Sequence, residues 1–240
     1  MWLYRTSGNT KHPIVLYEYQ PSRRAEHPEA FLKNFKGFLH TDGYDGYHNL
    51  SDVTVVGCWA HVKRKWVDAL KAVPKKKQPM SQAAQGIAFC DKLFHFEKQW
   101  SSLAPKERLK NRELYSKPVI HEFYEWIGSL NALPKTLLGV AAHYVVSQRK
   151  YLENYLLDGR LEISNNRAER SIKPFVIGRK NWLFANTPDG AKASAIFYSL
   201  METAKESGLN PYEYLTHVLR TAPNLPDDTA VEALLPWTTC

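Results

Sequence analysis

The stretch Phe38-Leu-His-Thr-Asp-Gly-Tyr-Asp-Gly-Tyr47 decides how the chain is read. Phe38 to Thr41 favours a short strand, and the glycines at 43 and 46 let the backbone turn away sharply after it. Asp42 therefore stands at a strand end, where ligands gather in α/β sheets. Upstream, Met1-Trp-Leu-Tyr4 and Pro13-Ile-Val-Leu-Tyr-Glu-Tyr19 are rich in β-formers, and Ser7-Gly-Asn9 between them predicts a hairpin turn. His27 to Phe35 predicts a helix with Phe31, Leu32 and Phe35 on one stripe. Downstream, Val53-Thr-Val-Val56 is a further strand ended by Gly57. The expected order is strand, strand, helix, strand, strand.

Beyond Cys58 the period becomes helical, because Ala60, Val62, Trp66, Ala69 and Leu70 recur three or four apart while Lys63, Arg64 and Lys65 point elsewhere. Pro74-Lys-Lys-Lys77 ends that helix. Helices are expected over Ser81 to Trp100, around Leu114 to Ile127, and from Pro134 to the Asp158-Gly159 stop. Asn166-Arg-Ala-Glu169 opens the next with the spacing of a cap and its acidic partner. Pro174 is expected to interrupt it, and Lys180-Asn-Trp-Leu-Phe184 to run extended. Asp189 to Glu206 and Tyr212 to Leu219 close the set, and three prolines mark a tail strapped down by Leu234, Leu235 and Trp237. The segments expected are 1–79 and 158–220 as two parts of one core, 80–157 as a helical insertion, and 221–240 as a tail.

Hydrophobic residues at 44% and aromatics at 12% exclude a disordered chain. No apolar run reaches the roughly 18 residues of a membrane span, so a cytoplasmic protein is expected. Cys58, Cys90 and Cys240 are odd in number and far apart, which suits reduced thiols. Cys58-Trp-Ala-His61 lacks the second ligand pair of a zinc site. No phosphate-binding glycine loop, dinucleotide fingerprint or nucleophile elbow is present. The formal net charge of +8 is a polyanion-binding footprint. It is concentrated: residues 51–80 hold seven Lys and Arg against two acids, and residues 160–192 hold seven against three.

Two acids stand out, each with a plainer reading beside it. Asp42 suits a metal ligand, while Asp42 and Asp45 equally suit a glycine-rich turn. Glu169 lies among Arg167, Arg170, Lys173, Arg179 and Lys180, as an acid holding Mg2+ beside bound phosphate does. It also suits a capping glutamate that reaches back to Asn166. Lys63 and Arg64 suit phosphate contact or a solvated helix face. Trp59, Trp66 and Trp182 offer surfaces for stacking on bases, although a Trp at helical spacing more often belongs to a core; Trp182 has the most polar neighbours. His61 and His143 are expected in or behind the core.

Four blocks taken together carry a resemblance: Asp42-Gly-Tyr-Asp-Gly-Tyr47, Gly57-Cys-Trp-Ala-His-Val-Lys-Arg-Lys-Trp66, Asn165-Asn-Arg-Ala-Glu-Arg-Ser-Ile-Lys-Pro174 and Gly178-Arg-Lys-Asn-Trp-Leu-Phe184. In this order they resemble the signature blocks of the insertion-sequence-66 transposases, and with Leu234-Leu-Pro-Trp237 they cover nearly the whole chain. The resemblance implies an α/β fold, a ribonuclease-H-like mixed sheet with a helical insertion between the second and third of three catalytic acids. It implies that Asp, Asp and Glu hold two Mg2+ ions for phosphodiester cleavage and strand transfer. By motif Asp42 is the second acid and Glu169 the third. DNA, as insertion-sequence ends and target, is the implied partner, contacted by Lys63, Arg64, Asn166, Arg170, Lys173, Arg179, Lys180 and Trp182.

In that family the first Asp lies on a strand shortly upstream of the segment matching Met1-Trp-Leu-Tyr-Arg-Thr6, and no residue here matches it. The expectation is a catalytic region without its first strand and acid, with an unpaired sheet edge, and weak or inactive alone. An alternative is a non-catalytic DNA-binding or inhibitory fragment that pairs with an intact transposase, or with a second copy of itself. A ribonuclease or repair nuclease of similar fold would act without preference for element ends.

Overall fold

Alternating β-formers place β1 at Trp2–Arg5 and β2 at Val15–Glu18, an antiparallel hairpin in which Leu3 faces Tyr17 and Arg5 faces Val15. A second sheet pairs β3, Gly37–His40, in parallel with β4, Val53–Val56, with His40 beside Val56. Between them lies α1, Glu26–Phe31. The order is the expected one. Only Leu32 of the expected α1 stripe is buried, whereas Phe31 and Phe35 are exposed. The helix ends at Phe31, so Leu32 and Phe35 lie beyond it and the stripe is not completed. The structure, a computed structural model, describes residues 1–8, 10–182, 185–226 and 228–238. By contacts the chain forms two units, Arg24–Asn165, and Met1–Arg23 with Asn166–Cys240.

In the unit Arg24–Asn165 a helical block covers the parallel pair. It comprises α2 (Trp59–Lys71), α3 (Gln82–Gln99), α4 (Pro105–Asn111), α5 (Lys117–Ser129), α6 (Leu137–Ser147) and α7 (Arg149–Leu152). Ser81 and Thr136 accept from the backbone N–H groups of Ala84 and Gly139, which starts α3 and α6. Trp59, Val62, Trp66 and Ala69 share the buried side of α2 and meet Leu93, Ile120, Phe123 and Val145. Trp59 and Trp66 are thus core, as their helical spacing suggested. Trp66 also explains Gly86: a Cβ there would lie 2.3 Å from the indole, so only glycine lets α3 close on α2. Cys58 and Cys90 are buried thiols outside any disulfide among the described residues, and Cys240 lies outside the described residues.

One cation is sealed inside this block. Arg112, fully buried where α4 passes into α5 through a single π-helical turn at Arg112–Ser116, donates from all five guanidinium N–H positions. Two go to the Glu97 carboxylate, at 2.8 and 2.7 Å. Three reach backbone carbonyls of the segment that follows α7: Tyr155 at 2.8 Å, Asp158 at 2.8 Å and Leu161 at 2.6 Å. That segment in turn borders the sheet. Gly57 N–H donates to Tyr151 O (2.8 Å), the Asn154 amide to Val55 O (2.7 Å), and Trp59 N–H to Ile163 O (3.1 Å).

In the other unit the hairpin meets α8 (Asn166–Trp182) and α9 (Pro188–Glu206), and α10 (Pro211–Thr221) packs on α9. Val15, Tyr17 and Ala195 are buried, with Leu3, Ile172, Phe175 and Tyr198 packed around them. The Tyr17 hydroxyl donates to the Ser171 carbonyl, and burial pushes its pKa up. The outer edge of β2 is covered by hydroxyls of α9: Val15 N–H donates to Thr203 Oγ1 at 3.0 Å and Tyr17 N–H to Ser199 Oγ at 2.8 Å. In the tail Leu234 is buried and its carbonyl accepts from the Tyr214 hydroxyl at 2.8 Å, while Leu235 is exposed.

Two expectations fail along α8. The helix runs through Pro174 and still includes Lys180 to Trp182, which were expected to be extended. Proline removes one intrahelical hydrogen bond, but Ser171, Ile172 and Phe175 bury the flanking turns and hold the axis. Leu183 and Phe184 lie outside the described residues.

Replacing Arg112 with Ala should lower stability by roughly 3–5 kcal/mol, because Glu97 and three carbonyls lose their donor in the interior. Urea unfolding followed by far-UV circular dichroism measures it, and a loss under about 1 kcal/mol, the net worth of one ordinary hydrogen bond, would refute the role given to this cation.

Candidate functional site

Asp42 is exposed at the carboxyl end of β3. Thr41 N–H extends the parallel pairing to Val56 O at 2.9 Å, and directly after it Gly43 adopts φ +85°, a value L side chains rarely take. The strand therefore stops at Asp42 and the chain turns away. Asp42 Oδ1 accepts from Tyr44 N–H at 3.2 Å, so the acid shapes its turn and also faces solvent. Asp45 opens the short 3-10 turn Asp45–Tyr47 and lies 3.5 Å from His48 Nδ1.

The turn is held from α6. Tyr144 Oη donates to the Asp42 main-chain carbonyl at 3.4 Å. A Cβ on Gly43 would stand 3.0 Å from Tyr144 Oη and 3.2 Å from Gln148 Oε1. These two residues, four apart, form a cradle that only glycine fits closely. Burial pushes the Tyr144 phenol up to about 12, with the nearby Cys58 and Asp42 charges adding to it, so the hydroxyl stays a donor at neutral pH. Lys65 lies 5.6 Å above its ring. Neither Tyr144 nor Gln148 was singled out from sequence; the spacing of four on an otherwise apolar helix was the signal.

Of the basic residues in this unit, Lys63 pairs with Asp91 of α3 at 2.5 Å, and exposed Arg64 lies 3.3 Å from His61 Nε2. His143 is exposed on α6, contrary to expectation, because the buried positions of that helix are Gly139, Ala141 and Val145.

Glu169 is partly exposed in the first turn of α8. At about 100° per residue, Asn166, Arg170 and Lys173 fall on the side of α8 away from Ile172 and Phe175, which pack on the hairpin, and Glu169 and Lys180 lie at its flank nearer Ile172. Arg170, Lys173, Arg179 and Lys180 are exposed, and so are Val176 and Ile177 among them. The side chain of Trp182 lies outside the described residues. Asp42 and Glu169 belong to different units.

An exposed carboxylate at a strand end is one hard oxygen ligand of the kind Mg2+ takes. Among the described residues, however, no three His, Cys, Asp or Glu side chains come together as a metal site. The described set is incomplete for that ion, and no reaction step is derived through it.

Each unit is a mix of helix and short strands carrying one candidate acid. Sequence similarity gives the family: the chain belongs to the IS66 family of transposases, since residues 1–193 match the Transposase IS66 family and residues 199–237 the IS66 C-terminal element. It is 32% identical over 99% of its length to Uncharacterized protein y4qI of Sinorhizobium fredii, and 30% identical over 99% and 94% to y4hP and y4jD of the same organism. The chain spans less than half of those relatives, 46%, 46% and 45%. No solved structure matches it. No helix among the described residues is long and apolar enough to cross a membrane.

His40, two residues before Asp42, carries a pH dependence. Its Nε2 is buried without a hydrogen-bond partner among the described residues, and burial lowers its pKa to about 4, against a smaller opposing effect of Glu162. The unfolded chain binds that proton near pH 6.5, so the folded state loses stability as pH falls from about 6.5 towards 4. Above that window the His40 contribution is fully present. Urea midpoints measured across it should drop for the native chain and drop less for His40→Gln; parallel curves would exclude His40 as the source.

Proposed function

We propose that the chain contributes the catalytic region of a transposase that moves an insertion sequence by metal-dependent cleavage and strand transfer. Asp42 and Glu169 are its second and third acids, and Mg2+ is the ion they serve. The observation that carries this reading is Asp42, exposed at the end of a parallel strand within a family match that spans residues 1–193. On this reading the hairpin β1–β2 and the parallel pair β3–β4 are parts of one ribonuclease-H-like core, and the helical block after β4 is its insertion. DNA is held by the exposed cations of α8, Arg170, Lys173, Arg179 and Lys180, with Asn166 and Trp182 on the same helix. Lys63 and Arg64 add contacts from α2.

The matched motifs supply two of the three acids that this chemistry uses. The purified 240-residue chain should therefore cleave element-end DNA weakly or not at all in Mg2+. Robust cleavage abolished by Asp42→Asn would overturn that inactivity while keeping Asp42 as an acid. In the longer transposase, Asp42→Asn and Glu169→Gln should each lower cleavage on the order of 100-fold or more, as the loss of one directed electrostatic contact in a transition state does.

A second reading is a DNA-binding fragment without catalysis that pairs with an intact transposase, and it rests on the exposed cations of α8. It predicts duplex binding indifferent to Mg2+. Both readings need the α8 cations. Changing Arg170, Lys173 and Lys180 together to Gln should flatten the dependence of log K on log salt by about 0.9 for each phosphate contact removed. An unchanged slope would remove α8 from the interface.

A further inference from the structure

A cavity of about 490 Å3 opens in the unit formed by residues 1–23 and 166–240. Its walls are the turn between β1 and β2, the first turn of α8, the end of α9 and the tail. Neither candidate acid lines it. The volume falls within the roughly 300–1,000 Å3 of small-molecule sites.

We propose that this cavity binds one unpaired nucleotide of a DNA strand, with Lys11 and Arg167 on the phosphate and the rings of His12 and Trp237 beside the base. The choice of a DNA strand as the source rests on the transposase reading; the pocket chemistry does not. Lys11 and Arg167 both line the cavity, and Lys11 is exposed. Glu206 also lines it, but its charge is already matched. Arg5 Nη2 binds it at 2.8 Å and Arg167 Nη1 lies at 3.6 Å, and the Arg5 guanidinium holds its carboxyl below the usual range. Counting Arg5 behind the wall, three cations face one carboxylate, so the cavity favours an anion.

Three further features point past a bare anion. Gly8 lets the Arg167 guanidinium lie against the hairpin turn, since a Cβ there would come within 2.4 Å of Nη2. The His12 and Trp237 rings stand with centroids 5.0 Å apart and planes tilted by 42°, an aromatic wall a phosphate alone does not use. The Ser207 hydroxyl is buried at the cavity without a hydrogen-bond partner among the described residues, a polar group that a ligand's sugar or base atoms can satisfy. Phosphate, ring and polar edge together make a nucleotide. A base inside a duplex would first have to leave its stack, so an unpaired strand is the preferred form.

Fluorescence anisotropy with a short labelled single strand and with a duplex of the same sequence tests this. Trp237→Leu and Lys11→Gln should each weaken single-strand binding about tenfold or more, the size of one lost base stack, and leave duplex binding within about twofold. The tail keeps its anchor through the Tyr214 hydroxyl and Leu234 O, and Lys11→Gln, at an exposed position, carries the test should Trp237→Leu fail to fold. Equal losses on both DNAs, no loss on either, or a native chain that binds no single strand would overturn the proposal. Competition by free thymidine monophosphate as strong as by the oligonucleotide would overturn the strand as the source. Retained single-strand binding without duplex binding would uphold the cavity while removing the α8 interface.

Discussion

A guanidinium cannot shed its proton, so an arginine that folds to zero exposure obliges the chain to surround it with acceptors. Arg112 is that constraint in the helical block. Its acceptors come from two sources: a carboxylate on α3, and carbonyls of a 3-10 turn and the loop after it, 43 to 49 residues further along. Each needs the other. Carbonyls at the end of a short 3-10 turn and in the loop beyond it would otherwise lack donors, and the cation would otherwise be buried without a partner. The π-helical turn at Arg112–Ser116 accompanies this arrangement, a local departure from regular helix at the residue whose side chain must reach furthest.

From that cation the constraint passes to the candidate acid in short steps. The segment pinned by Arg112 continues to Ile163, whose carbonyl receives Trp59 N–H, while Tyr151 and Asn154 just before it hold Gly57 and Val55. The end of β4 is therefore fastened on the side away from β3. Val56, so held, accepts Thr41 N–H, and the next residue is Asp42. On the other side Tyr144 and Gln148 close over Gly43. A carboxylate in open solvent thus rests on backbone with few alternatives, which is what a ligand or catalytic group requires of its support.

Much of this was legible in sequence where the signal is local. The strands at both ends of the first sixty residues, the buried stripe of α2 and the glycine turn after Thr41 each follow from residues within one or two turns of each other. What escaped is nonlocal. Nothing near Arg112 distinguishes it from neighbouring surface cations, because its partners lie across the fold. Pro174 was read by its intrinsic effect on a helix, whereas burial of Ser171, Ile172 and Phe175 outweighs one missing hydrogen bond. Of the candidate site, the motif residues were found by their blocks, and the exposure of Asp42 agrees with its place after a strand. Tyr144 and Gln148 were missed because a cradle is defined by the residue it encloses, more than a hundred positions away in the case of the Tyr144 contact.

The hairpin shows how a helix can finish a sheet. Val15 and Tyr17, two residues apart on β2, are separated by about 6.8 Å along a strand. Ser199 and Thr203, four apart on α9, are separated by about 6 Å along a helix. The near match lets two hydroxyls serve an edge that a third strand would otherwise pair, and the Thr203 hydroxyl both accepts from Val15 N–H and donates to Val15 O. A covered edge cannot recruit a foreign strand, so any strand that joins this hairpin must do so at β1, which has no second partner strand among the described residues. Arg5 lies at the end of that strand, with its side chain turned inward to Ser171 and Glu206. The open edge of β1 runs into the turn that walls the anion-favouring cavity, and Arg5 at its end binds Glu206 from behind that wall, so a strand docking there would bear on how Glu206 and Arg167 are held.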